Sequence, residues 1–241
     1  RWSRSVRRDV LTQQVTLFSG EQRAFSYFDT RIAPLVCAEV LNGEAYPLLP
    51  SDVLPPVDVK TIFDVGSNIG ASCVYWADCY PNAKIYAYEP CEEAYDLLTL
   101  NTATDNVEPY NVALGIEDGF VDLYHNVEDD VCNSLKDHKS HGHEKVVIER
   151  ARRHINGAID ILKLDTEGCE VEILSDIEAW ICEIKVLFLE YHSEYARRRV
   201  DGLLKPTHTL WQSKSSRPHR GNLCYVRTKD VPENYANWAI L

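Results

Sequence analysis

Residues suited to chemistry fall in short stretches of this chain, each directly after an apolar run. The first is TIFDVGSNIG, residues 61–70, where Asp64, Gly66, Ser67, Asn68 and Gly70 end or follow the run. Glycines there let the backbone turn sharply and approach a ligand closely. A helix starting at that turn presents its first amides to an electron-rich group. The second stretch is KIYAYEP, residues 84–90, which ends in Glu89. An acid at that place accepts hydrogen bonds from both hydroxyls of a ribose. The third is AIDILKLDTEG, with Asp165 and Glu167 after the apolar run. Two carboxylates there suit a ligand ammonium, a share in a metal, or the orientation of an acceptor hydroxyl. The competing use is local, with Asp165 or Thr166 capping a helix and Glu170 in its first turn. The fourth is KVLFLEYH, which brings Glu190 and His192. Histidine titrates near neutrality and can take a proton from a hydroxyl.

The dinucleotide fingerprint G-x-G-x-x-G is not met: Asn68 stands at its second glycine and Ala71 at its third. The second glycine is what lets a backbone reach a pyrophosphate. An NAD-dependent oxidoreductase is therefore disfavoured, and a ligand with a ribose and no pyrophosphate, such as S-adenosylmethionine, is preferred. A methyltransferase acting on nitrogen or nucleic acid is disfavoured as well, since N-methyltransferases of adenine or glutamine commonly carry an Asn/Asp-Pro-Pro-aromatic stretch where this chain reads DTEG. A non-catalytic binding module of the same fold stays open. His138, His141 and His143, with Cys132 upstream, match no zinc spacing, so they read as a solvated loop and no metal site is assigned.

The elements that must position these residues alternate. Strand signals lie at 61–65, 84–90, 107–114, 158–165 and 185–192. Helical patterns lie at 69–80, 91–103, 169–181 and 194–204. An extra half-exposed strand is expected at 119–126, a polar and weakly patterned segment at 127–158, and a closing hairpin from 207–213 and 222–228. Alternation of this kind implies an α/β fold, a mainly parallel sheet with helices on both faces. Ligands of such sheets bind beyond the carboxyl ends of the strands, where all four stretches end. Residues 1–59 read as an N-terminal cap or linker, mixed helical and irregular to about Glu44 and then extended through YPLLPSDVLPPVDVK. Residues 60–241 read as the ligand-binding domain.

Composition narrows the partners. The 241 residues carry a formal charge of −12, a poor match for nucleic acid or an anionic membrane. Arginines do cluster, at Arg1, Arg4, Arg7 and Arg8, at Arg150, Arg152 and Arg153, at Arg197 to Arg199, and at Arg217 and Arg220. Solvated faces explain such clusters, and the sharper reading is one wall of a site for an anionic substrate. None of the eight cysteines forms a CxxC pair, and Cys73, Cys169, Cys182 and Cys224 read as small buried residues of a reduced, cytoplasmic chain. No stretch is long and apolar enough for a membrane span. Methionine is absent even at position 1, so the chain reads as processed or trimmed.

Together, FDVGSNIG (63–70), YAYEP (86–90), NVALG (111–115), DILKLDTEGCEVEIL (160–174) and FLEYH (188–192) resemble the FkbM family of S-adenosylmethionine-dependent methyltransferases. The resemblance covers roughly residues 60 to 192. It implies a class I methyltransferase (Rossmann-like) fold, whose seven-stranded sheet has an antiparallel last strand. It further implies O-methylation of a hydroxyl on a small molecule, sugar or polyketide. Asp64, Gly66, Ser67, Asn68 and Gly70 would then wrap the amino-acid tail and adenosine, and Glu89 would hold the ribose. Asn111 and Val112 would lie near the adenine. Asp165 would stand near the reacting centre, with His192 or Glu167 taking the hydroxyl proton.

Overall fold

The computed structural model describes residues 8–124, 143–217 and 219–236. The chain opens with an antiparallel hairpin of β1 (Val10–Thr16) and β2 (Gln22–Phe28), followed by helix α1 (Ala33–Leu41). Of the mixed helical and irregular stretch expected there, α1 supplies the helix, and the hairpin is the correction. Strand periodicity is masked because four consecutive residues of β2, Phe25 to Phe28, are buried while most of β1 is exposed. The proline-rich stretch is no free extended linker either. It turns, passes through a 3-10 segment at Pro56–Asp58, and buries Leu49, Val53, Leu54 and Val59 in the core.

Then come β3 (Thr61–Val65), α2 (Ala71–Cys79), β4 (Lys84–Tyr88), α3 (Glu92–Asn101) and β5 (Val107–Tyr110). The strand expected over 107–114 breaks at Asn111. Its continuation β6 (Ala113–Gly115) joins β7 (Gly119–Tyr124) and β8 (His143–Arg150) in a separate three-stranded sheet, order β6-β8-β7. Among its described residues, the polar segment 127–158 thus hides a strand. Its apolar run is only Val146, Val147 and Ile148 between charged residues, and Val146 alone is buried, so no alternation marks the strand. His138, His141 and Cys132 lie outside the described residues, and His143 begins β8.

The remainder is α4 (Ala151–His154), β9 (Ile159–Leu164), α5 (Glu170–Asp176), β10 (Ile184–Tyr191), α6 (Glu194–Leu204), β11 (His208–Arg217), β12 (Arg220–Arg227) and α7 (Glu233–Ala236). The helix expected over 169–181 tightens to a 3-10 turn at Glu178–Glu183. Ser193 caps α6, its Oγ accepting from the Ala196 amide at 3.0 Å.

The main sheet has seven strands in the order β11-β12-β10-β9-β3-β4-β5. Its five strands from β10 to β5 are parallel, and β12, last in the chain, is antiparallel to β10. This is the class I methyltransferase sheet that the resemblance implies. Alternation divides its two faces. Phe63, Leu162, Leu164, Leu187 and Leu189 point to one core with Ile173 and Leu174 of α5 and Val200 of α6. Ile62, Ile85, Ile161, Val186 and Phe188 point to the other, with Tyr75 and Trp76 of α2. Each such side chain, fully buried, contributes roughly 1.5–3 kcal/mol. A third cluster packs the hairpin and α1 against α2 and α3. Strand order reverses between β3 and β9, which makes the loops after these two strands the place to look for a ligand.

Cys73 and Cys224 are buried as expected, Cys169 is partly so, and Cys182 is exposed on the 3-10 turn. The seven described cysteines are all free. No described helix is long and apolar enough to cross a membrane.

Candidate active site

A cavity of about 480 Å³ opens at this switch point. Gly66, Ser67 and Asn68 from the turn after β3, Glu89 from the end of β4, Val112 before β6, and Asp165 and Glu167 after β9 all line it. Asp64, Gly70, Asn111 and His192 stand behind its wall instead, each holding something that does line it.

Gly66 has φ +85°, and a Cβ there would lie 1.8 Å from the Asp165 carbonyl oxygen. The two switch-point loops therefore touch through their backbones. Asn68 comes next but one with φ 48°, a left-handed conformation that asparagine tolerates. The turn is not the bank of free amides its sequence suggests. The amides of Gly66 and Ser67 donate to the Tyr88 carbonyl at 2.9 and 3.0 Å, and that of Gly70 donates to the Ser67 carbonyl. The Asn68 amide donates to Glu89 Oε2 at 2.8 Å. Donors so committed suit a nucleoside lying against the turn rather than a pyrophosphate needing bare amides. Gly70 serves packing: its Cβ would lie 2.9 Å from Leu98 Cδ1, with φ +88°.

Glu89 is buried at the cavity wall, 7% exposed. Its second oxygen accepts from the Cys91 amide at 2.9 Å. Burial pushes its carboxyl up to about 7 against these bonds and the Lys163 charge. Asn111 braces the same corner, its Nδ2 donating to the carbonyls of Glu89 and Pro90 at 3.0 and 3.1 Å.

Asp64 is fully buried beneath the turn. It accepts from Ser72 Oγ, from Cys73 Sγ at 3.2 Å and from Lys163 Nζ at 3.0 Å. Lys163, which sequence reasoning passed over, also donates to the Gly66 carbonyl at 2.7 Å and stands 3.8 Å from Asp165 Oδ2. Burial works against its charge, but Asp64 and its other neighbours hold the ammonium protonated well above the usual lysine range. One cation thus ties β3, the glycine turn and Asp165 together. A charged residue inside an apolar strand, two positions before Asp165, was the one signal that could have found it.

At the acidic end, Asp165 is pushed up from the ordinary carboxyl range by burial and then by the Glu190 charge. Glu167 has a strained φ of 52° and lines the cavity. Behind it His192 Nε2 lies 3.0 Å from Glu167 Oε2, and Nδ1 lies 3.4 Å from Glu170 Oε1. The contacts are ionic: neither ring nitrogen has a well-aligned hydrogen bond. Burial opposes the imidazolium, yet Glu167 and Glu170 raise it to about 10. Glu170 is fully buried and accepts from the Thr166 and Gly168 amides at 3.1 and 2.9 Å. Neither Asp165 nor Thr166 caps α5, whose N-cap position is Cys169 with no side-chain cap bond; Glu170 does stand in its first turn, and its carboxylate reaches back to the preceding loop.

Arg220, from β12, closes the group. Its Nε donates to Glu190 Oε1 and its Nη2 to Glu167 Oε1, the latter at 2.9 Å. Asp165, Glu190 and His192 offer ligand atoms within 4.8 Å of one another, the described set best suited to a hard metal ion. Glu190 is already held by a guanidinium and His192 is itself cationic, so the set is neutralised from within the chain.

Three comparisons bear on this arrangement. Residues 64–207, well over half of the chain, match the family model described as the methyltransferase FkbM domain. Methyltransferase sdnD of Sordaria araneosa is 25% identical over 95% of this chain and 95% of its own length. The hexuronic acid methyltransferase AglP of Haloferax volcanii is 26% identical over 59% of this chain and 60% of its own. Among solved structures, the Pyrococcus abyssi tRNA (uracil-54, C5)-methyltransferase in complex with S-adenosyl-L-homocysteine shares the fold. It has a TM-score of 0.50 at 11% identity, over 89% of this chain and 44% of that one.

Proposed function

This chain belongs to the FkbM family of methyltransferases, and on that premise we propose that it moves a methyl group from S-adenosylmethionine to a hydroxyl oxygen of a small molecule, sugar or polyketide. The observation that carries the reading is one cavity joining the Gly66–Asn68 turn and Glu89 to Asp165, Glu167 and Glu190. The residues fit the donor. Gly66 lets the turn close directly onto the Asp165 backbone, Glu89 at the cavity wall offers a carboxylate to a ribose diol, and Val112 and Leu114 offer an apolar wall for a base. When bound, S-adenosylmethionine supplies an electrophilic methyl group. The hexuronic acid in the name of the H. volcanii relative and the S-adenosyl-L-homocysteine of the P. abyssi complex support this reading. The net charge of −12 favours a small acceptor over nucleic acid.

The work left to the protein is alignment and proton removal. Asp165, held by Lys163, orients the acceptor hydroxyl. Glu167 takes its proton as the oxygen–methyl bond forms. His192 is already protonated, so its role is to brace Glu167 and keep that carboxylate aimed at the cavity. The segment before residue 60 acts as the cap, since Phe28, Ile32, Val36 and Tyr46 line the same cavity.

Calorimetric titration with S-adenosylhomocysteine tests the donor assignment. Wild type is expected to bind in the micromolar range and Glu89→Gln at least tenfold more weakly, through loss of charge-assisted bonds. Folded wild type that shows no binding heat with the ligand sinks the assignment.

A further inference from the structure

The cavity has a second charged wall, built by the final hairpin. Lys214 and Arg217 of β11 and Arg220 and Asn222 of β12 all line it. Cross-strand pairing sets Lys214 against Asn222 and Arg217 against Arg220, with an irregularity between Ser215 and Arg217. Arg220 and Asn222 are two apart and share one face of β12. Regular alternation on β11 would therefore match Lys214 with position 216. The extra residue puts Arg217 there instead, and bulges are how strands re-aim a side chain beside a site.

The three cations differ in what they already hold. Arg220 is committed to Glu167 and Glu190. Lys214 pairs with Glu39 at 3.0 Å, both side chains about half exposed. A surface pair of that kind is weak and exchanges readily for a ligand. Arg217 has no side-chain partner among the described residues; its backbone pairs with Arg220 in the ladder, and its carbonyl accepts from Ser215 Oγ at 2.8 Å. The floor of the cavity is acidic and this rim is basic. An acceptor with one charged end can then enter in one orientation only, its anion on the rim and its uncharged hydroxyl at the floor. In a chain of net charge −12, anions are repelled at long range, so a guanidinium left without a carboxylate at the mouth of the cavity is selective for them.

We propose that the acceptor carries an anionic group, a carboxylate or a phosphate, seated on Arg217 and Lys214 while its hydroxyl faces Glu167. This rests on the methyl-transfer reading and adds the substrate class to it. Guanidinium suits both groups, since its fork matches two oxygens at once.

The test uses the full chain with S-adenosylhomocysteine bound, an occupancy measured first. Failure at that step would count against the methyl-transfer reading itself and is distinguishable from failure of the anionic acceptor. Glucuronate, glucose 1-phosphate and glucose are then titrated in turn, with the Nε–H resonance of Arg217 monitored by NMR and binding measured by calorimetry. The expected result is that at least one anionic sugar moves the Arg217 resonance and binds, whereas glucose does neither. The anion that responds identifies carboxylate or phosphate. Arg217→Gln should weaken that probe roughly tenfold, and Arg217→Lys should restore part of the loss. Three results overturn the proposal: neither anion perturbing Arg217, glucose binding as well as the anions, or Arg217→Gln weakening S-adenosylhomocysteine instead, which would assign the guanidinium to the donor.

Discussion

Gly66 lies so close to Asp165 that a Cβ at position 66 would sit 1.8 Å from the Asp165 carbonyl oxygen. The obstacle is backbone, which cannot rotate aside, and φ at Gly66 is +85°. Gly66→Ala should therefore cost roughly 2–4 kcal/mol and abolish S-adenosylhomocysteine binding. Gly20 has a similar φ of +90° with nothing within 4 Å of a built Cβ. Gly20→Ala should cost only about 1 kcal/mol and leave binding intact. Thermal melts of the two variants separate crowding from backbone strain, and equal losses would refute the close approach.

Lys163 and Asp64 form a buried pair at 3.0 Å. Lys163→Met leaves the Asp64 carboxylate buried without its cation and should cost about 3–5 kcal/mol. Adding Asp64→Asn removes the orphaned charge and should recover much of that loss. Urea denaturation of both single variants and the double variant measures the coupling. Additive losses would mean the pair is not what stabilises this site.

His192 keeps its proton up to about 10 in the folded chain, above the ordinary 6.5. A raised histidine stabilises the fold fully below its unfolded value, and the contribution is lost as pH climbs toward 10. The stability gap between wild type and His192→Asn should accordingly be on the order of 3 kcal/mol at pH 6 and shrink steadily by about pH 10. Denaturant melts across that range provide the check. A gap that does not change with pH would show that the imidazole is not held charged.

Glu167→Gln keeps the shape of the side chain and the Arg220 contact but removes the proton acceptor. With a working acceptor in hand, methyl transfer should fall about 10²–10⁴-fold, while S-adenosylhomocysteine affinity stays within about threefold. Parallel losses in rate and affinity would instead make Glu167 part of the donor site.

Asn101 is buried at 3% exposure and stitches the N-terminal hairpin to α3. Its Nδ2 donates to the carbonyls of Ser26 and Ile69 at 2.8 Å, and its Oδ1 accepts from the Ser26 amide at 2.8 Å. Asn101→Leu leaves these backbone groups unpaired and should cost about 2–4 kcal/mol. Hydrogen exchange should accelerate first in β2. Unchanged protection there would place the anchor elsewhere.

Much of this molecule can be read from local pattern, because strand and helix periods are properties of neighbouring residues. The apolar runs ending at Val65, Tyr88, Leu164 and Tyr191 announce parallel strands. In a doubly wound sheet their carboxyl ends must share one edge, so the sequence alone groups Gly66, Glu89, Asp165, Glu167 and Glu190. What the local pattern could not carry is which atom each residue uses and which partner it meets. Asp64 and Lys163 are 99 positions apart in the chain, and Glu167 and Arg220 are 53 apart. Only the sheet order β12-β10-β9-β3 makes each pair neighbours. The charge of His192 depends on Glu167 and Glu170 packing around it, and the aim of Arg217 on one extra residue in β11. The residue types needed for the site lie in the sequence, but their protonation, pairing and direction are many-body consequences of folding and belong to the tertiary structure alone.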